Sequence, residues 1–207
     1  MKTNIYVDGF NFYYGCIKGT PYRWLDLAKL FQLLLPNDEI NRIRYFTAKV
    51  NPHPYDPTQP QRQQAYLRAL ETLPNLSIHL GHFLTNTVSM PLAHPPRLGS
   101  RMVDVLKTEE KGSDVNIATY LLIDSFRGEC EQSVIVSNDS DLVTPIEMVQ
   151  AIFGIRVGVF NPHPKTSWAL RNAADFYRPI RKGPLSASQF PDQLSDSQGN
   201  ITKPPSW

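Results

Sequence analysis

The chain has 207 residues, 41% of them hydrophobic, enough to bury one sizeable core and form one domain with a tail. Its formal net charge of +2 excludes recognition of nucleic acid by bulk charge, although it leaves room for a basic groove around an acidic centre. Cys16 and Cys130 have no metal-ligand spacing and found no disulfide framework. With no signal peptide and no membrane-length apolar run, the expected location is cytoplasmic, away from any membrane.

Residues 3–8 read as a buried strand ending on Asp8, with Gly9-Phe10-Asn11 behind it. Residues 23–35 place Trp24, Leu27, Leu30, Phe31 and Leu34 at helical spacing, and Pro36 ends that helix. A second strand over 42–50 stops at Asn51-Pro52-His53-Pro54. A helix over 58–73 and a third strand over 76–84 follow. Residues 85–99, with no periodicity and several prolines, read as a loop or an excursion off the sheet, and 101–106 as a short strand returning from it. A helix then runs to Phe126 from just behind Asp114. The fourth strand, 133–137, is the apolar run Val134-Ile135-Val136, and it breaks into Ser137-Asn138-Asp139-Ser140-Asp141. Thr144-Pro145-Ile146-Glu147 carries the pattern of a capping box with proline at the first helical position, which predicts a helix starting there and leaves Asp139 free of capping duty. A fifth strand over 155–160 and a last helix over 167–174 complete the body. From Lys182 the composition turns to Ser, Pro, Gln and Asp, which predicts a disordered tail over 182–207, dispensable for folding.

Strands alternating with helices predict an α/β fold, a mostly parallel five-stranded sheet with helices on both faces. Dinucleotide binding is excluded by the lack of G-x-G-x-x-G after the first strand, and a Walker lysine is missing too. Asp8, Asp139 and Asp141 sit at strand ends and Asp114 at a helix start, so neighbouring first and fourth strands would gather all four in one crevice. Gathered carboxylates raise one another's pKa unless a cation sits among them. Oxygen ligands without His or Cys suit Mg²⁺ or Mn²⁺. Asn11 and Asn138 are candidates for orienting waters or ligands around them.

Asp8-Gly9-Phe10-Asn11, Lys111-Gly112-Ser113-Asp114 and Ser137-Asn138-Asp139-Ser140-Asp141 resemble, in order, the three signature blocks of the NYN domain family, within the PIN-like nuclease superfamily. The LabA-like bacterial branch is the most similar, and Ala173-Ala174-Asp175-Phe176 resembles a stretch near the end of such domains. The resemblance spans about residues 4–180 and places an NYN domain over 1–181. It implies a Rossmann-like three-layer sandwich with strand order 3-2-1-4-5 and metal-dependent hydrolysis of RNA. Asp8, Asp114, Asp139 and Asp141 would hold the metal, with Asn11 in support. PIN-like proteins often pair, so a homodimer is a further expectation.

Lys107, Lys111, Arg97 and Arg101 precede the third acid and are candidates for holding phosphates, Lys111 foremost; Asn138 and Ser140 join them as substrate contacts. Tyr13, Tyr14 and Trp24 are candidates for base stacking, although core packing explains Trp24 more simply. Asn51-Pro52-His53-Pro54 recurs as Asn161-Pro162-His163-Pro164 after the fifth strand. In the implied strand order these loops wall the crevice, which predicts that His53 and His163 face RNA. The competing functions are a non-cleaving RNA-binding module and an oxygenase, a label that a few relatives carry. An aspartyl phosphatase would need a second Asp where Phe10 stands.

Overall fold

A computed structural model describes all residues from Met1 to Trp207. β1 (Lys2–Asp8) is buried at every position after Lys2, as a strand covered on both faces must be. β6 (Gln132–Val136), buried throughout, lies parallel beside it, with Ile5 opposite Val134 and Val7 opposite Val136. β2 (Glu39–Thr47) and β3 (Leu76–Leu80) extend the sheet on one side. β7 (Arg156–Asn161) and β8 (Phe176–Pro179) extend it on the other. All neighbours are parallel, in the order β3-β2-β1-β6-β7-β8. The five expected strands thus keep their order, and β8 is a sixth. Its four half-exposed residues, ending on a proline, give no alternation to read.

The pleat sorts alternate residues into two cores. Ile5, Val7, Ile43, Tyr45, Val134 and Val136 face α2 (Leu27–Leu34) and α3 (Gln59–Glu71). Tyr6, Phe46, Ile135, Val157 and Val159 face α4 (Ser113–Phe126), α5 (Val143–Phe153) and α6 (Trp168–Ala173). Between β1 and α2, the short α1 (Gly9–Phe12) runs into a π-helical turn, Tyr13–Ile17. No helix is long and apolar enough to cross a membrane.

One reading left open is decided, and one expectation is overturned. The stretch 85–99 is the excursion off the sheet: β4 (His82–Pro91) pairs antiparallel with β5 (Met102–Lys111), from His82 opposite Lys111 to Pro91 opposite Met102. This arm is exposed along most of both strands, so neither face needs an apolar stripe, and the period-two signal is lost. Arg97 and Arg101 belong to its tip. At about 3.4 Å per strand residue, Arg101 lies about 30 Å from Lys111, away from the acids.

The tail over 182–207 is not disordered. It forms α7 (Lys182–Ala187) and a hairpin of β9 (Gln193–Asp196) with β10 (Gly199–Thr202). Leu185, Phe190 and Ile201 are buried in the core under α2 and α3, where each contributes about 1.5–3 kcal/mol. Trp24 donates its ring N–H to the Pro191 carbonyl at 2.8 Å, and Arg68 holds Asp196 with two bonds of 2.9 and 2.7 Å. Composition averages over a segment, whereas a few well-placed anchors suffice to dock it. The tail is therefore needed for full stability, contrary to the expectation that it is dispensable.

Candidate active site

Asp8 ends β1 and is 6% exposed. Its Oδ1 accepts the Asn11 backbone N–H at 3.0 Å and so caps α1. Gly9 is required beside it: a Cβ there would lie 2.6 Å from the Phe46 carbonyl oxygen and 2.8 Å from the Tyr45 ring. Across the strand pair, β6 delivers Ser137, whose buried hydroxyl donates to Asp8 Oδ2 at 3.1 Å and accepts the Asp139 backbone N–H at 3.1 Å. Asp139 in turn accepts the Asp141 N–H at 3.0 Å and caps a 3₁₀ turn, Ser140–Leu142, that runs into α5. The helix therefore starts ahead of the Thr144 capping box, and the expectation that Asp139 is free of capping is corrected. Both strand-end acids cap the turn that follows them, which fixes their position.

The third acid arrives from the other direction. Gly112 has φ +106°, a conformation that favours glycine, and it turns β5 into α4 with Asp114 in the first helical turn. Electrostatics ties the group together. Burial pushes the Asp8 carboxyl up to about 6; the charges of Asp114 and Asp139 add to this, while the bonds from Asn11 and Ser137 oppose it. Asp114 is raised by burial first, then by Asp139, Glu110 and Asp141. Glu110, which accepts the Ser113 hydroxyl at 3.0 Å, and Ser137 are the members that sequence reasoning missed. Ser137 was legible as the first polar residue after the apolar run; Glu110 needed the turn at Gly112.

The donor set is chemically suited to a hard divalent cation: every nearby charge is a carboxylate, and no His or Cys is among them. No three His, Cys, Asp or Glu side chains converge tightly enough to enclose one ion. Asp8 and Asp114 both hold the proton more tightly than an ordinary carboxyl does, a shift that a cation among them would reverse.

The remaining candidates separate. The Asn11 side-chain oxygen accepts the Asn138 N–H at 3.0 Å, joining α1 to the β6 loop. The Asn138 side chain turns into the protein, accepting from Tyr177 and Ser167 and donating to the Lys165 carbonyl, so it braces the β7–α6 loop. Ser140 is exposed beside Asp141. Lys107 and Lys111 share one face of β5 and both pair with Glu109, at 2.6 and 3.1 Å. His163 packs on Gly15 in the π-helical turn. His53 is exposed and accepts the Tyr55 N–H within its own loop at 3.3 Å. Trp24 is fully buried, and core packing accounts for it.

The family model described as NYN domain matches residues 2–181. The chain belongs to the NYN domain family. Its fold is accordingly that of the PIN-like nuclease superfamily, with the acid-bearing ends of β1 and β6 side by side. The chain is also 35% identical, over 240 aligned positions, to 6-hydroxy-3-succinoylpyridine 3-monooxygenase HspA of Pseudomonas putida, covering 100% of this chain and 75% of that protein. Among solved structures, a protein of unknown function from Vibrio parahaemolyticus superposes with a TM-score of 0.55 at 21% identity, covering 87% of this chain and 93% of that one. That likeness concerns the fold.

Proposed function

We propose that the protein is a metal-dependent endoribonuclease that hydrolyses RNA phosphodiester bonds at the Asp8–Asp139 end of the sheet. The observation that carries this reading is that Asp8 and Asp139 stand at adjoining strand ends, joined through the Ser137 hydroxyl, with the charge of Asp114 near enough to help raise the Asp8 carboxyl. Asp8, Asp114, Asp139 and Asp141 would hold Mg²⁺ or Mn²⁺. Bound there, such an ion supplies a water of lowered pKa and offsets charge on the phosphoryl oxygens. Asn11 and Ser137 keep Asp8 in place through the bonds described above. Lys107 and Lys111 would exchange Glu109 for RNA phosphates, and Ser140 lies exposed at the rim. The free thiols of Cys16 and Cys130 suit a reducing, cytoplasmic setting.

The test is incubation of the full chain with total RNA and Mn²⁺, with chelator and Asp139→Asn controls, followed by mapping of the ends. The expected products carry a 5′-phosphate and a 3′-hydroxyl. Metal-independent cutting, or none, would overturn the reading. A second reading, oxygenation of a small heteroaromatic ring, is favoured by the name of the Pseudomonas putida relative. Its check is uptake of O₂ with a substituted pyridine and a reductant in place of RNA.

A further inference from the structure

Beside the acids, on the side of α1 that faces α3, a cavity of about 350 Å³ enters the protein. Gly9 and Phe10, the two residues that follow Asp8, are part of its lining. Its other walls are aromatic. Tyr45 and Tyr66 meet edge to face at 6.4 Å, and Tyr66 meets Trp207 in the same way at 5.9 Å. The Tyr66 hydroxyl donates to the Leu25 carbonyl at 3.0 Å, which fixes that ring. Trp207 reaches the cavity because the docked tail carries it there.

The charge of the lining is one-sided. Lys18, Arg23 and Arg62 contribute three cations against the single carboxylate of Asp56, which pairs with Arg62. Arg23 has Nε out of solvent with no hydrogen-bond partner, and its Nη1 reaches only the Ser206 carbonyl, at 3.4 Å. Nε is shut off from any ligand, but the guanidinium as a whole has no carboxylate partner, and its charge favours an anion in the cavity it lines. The volume falls within the usual range of about 300–1,000 Å³ for small-ligand sites, enough for one ring system and its charged substituent.

We propose that this cavity binds a planar aromatic ring carrying an anionic group, with the ring against Tyr45, Tyr66 and Trp207 and the anion on Arg23. A nucleotide of an RNA strand and a free aromatic carboxylate share this chemistry. The proposal stands whether or not the neighbouring acids cleave RNA, since it concerns a separate set of residues.

Calorimetric titration of the full chain with adenosine 5′-monophosphate, uridine 5′-monophosphate, 4-hydroxybenzoate and uncharged adenosine tests it. At least one anionic probe should bind at submillimolar concentration, with adenosine about tenfold or more weaker than its monophosphate, the loss expected for a charge-assisted bond. Arg23→Gln should erase the advantage of the anionic probes. Trp207→Ala should weaken every ring by about tenfold, as loss of a stacking wall does. Arg62→Gln, a change on a partly exposed helix, should weaken the anionic probes in the same direction and carries the test if Arg23→Gln does not fold. Binding of the nucleotides alone assigns the cavity to an RNA strand; binding of 4-hydroxybenzoate alone assigns it to a free small molecule. Absence of binding by every probe at millimolar concentration overturns the proposal. So does binding that the folded variants leave unchanged.

Discussion

Asp124 and Asp8 are both carboxylates withdrawn from water, and the protein treats them in opposite ways. Asp124, on α4, is fully buried and accepts two bonds from Arg44, both of 2.7 Å, and a third from the Tyr6 hydroxyl at 2.9 Å. Arg44 lies over the Tyr120 ring at 4.3 Å, and its charge, after burial, helps hold His79 down to about 4. Asp8, on the same β1 strand as Tyr6, meets only the neutral donors of Asn11 and Ser137 while its charged neighbours are other acids. One carboxylate is neutralised from within and ties α4 to the sheet. The other is positioned as firmly but left electrically incomplete. An internal partner makes a buried acid an anchor; without one, burial and neighbouring acids push the carboxyl up to about 6.

The contrast can be broken most sharply at Asp124. Asp124→Ala leaves the Arg44 guanidinium, whose side chain is 9% exposed, without its partner, and should cost about 3–5 kcal/mol in denaturant unfolding. A loss under about 1 kcal/mol would mean that the pair is no anchor. Next in size is the response to metal. Mn²⁺ at a hundred times its Kd should stabilise the wild type by about 2.7 kcal/mol, and Asp8→Asn should lose most of that gain in thermal melts.

A smaller effect follows from proton binding. The folded Asp8 carboxyl sits at about 6 against an ordinary value of 3.8, so the native state holds the proton more tightly than the unfolded chain does. Stability in chelator therefore falls as pH rises through that window, and Asp114, raised in the same direction, adds to the trend. Going from about pH 7.5 to about pH 5 should return about 1 kcal/mol from Asp8, a gain that Asp8→Asn abolishes. An unchanged pH profile in that variant would place the proton elsewhere. The smallest effect is expected of Asp139→Asn in chelator. Asparagine keeps the N-cap while removing one repelling charge, so the apo-protein should gain a few tenths of a kcal/mol, read as a slightly higher Tm. A lower Tm would give the capping bond to Asp141 more weight than the repulsion.

The sheet was legible where burial is two-sided. β1 and β6 announce themselves as unbroken apolar runs, and an acid at the end of each marks the crevice. Legibility failed where the deciding partner is distant in sequence. Arg44 and Asp124 show no local sign of one another, and Phe190 gains meaning only once Trp24 is placed at 5.9 Å from it. Thr144–Glu147 has the composition of a helix start, but Asp139 satisfies the chain's first free N–H earlier, at Asp141. The cavity behind Gly9 depends on α3, the π-helical turn and the tail together, and no single stretch contains it.

The β4–β5 arm has a mechanical consequence. Its ten paired positions reach about 30 Å from the body, and its base runs through Lys111 and the turn at Gly112 directly into Asp114. On the companion strand, Phe83 leans edge to face on Phe10 at 5.5 Å, two residues beyond Asp8. The base of the arm thus meets the acid-bearing segments twice, at the Gly112 turn ahead of Asp114 and at Phe10 beyond Asp8. An arm joined to the body at these two points ties its own orientation to the segments that carry both acids.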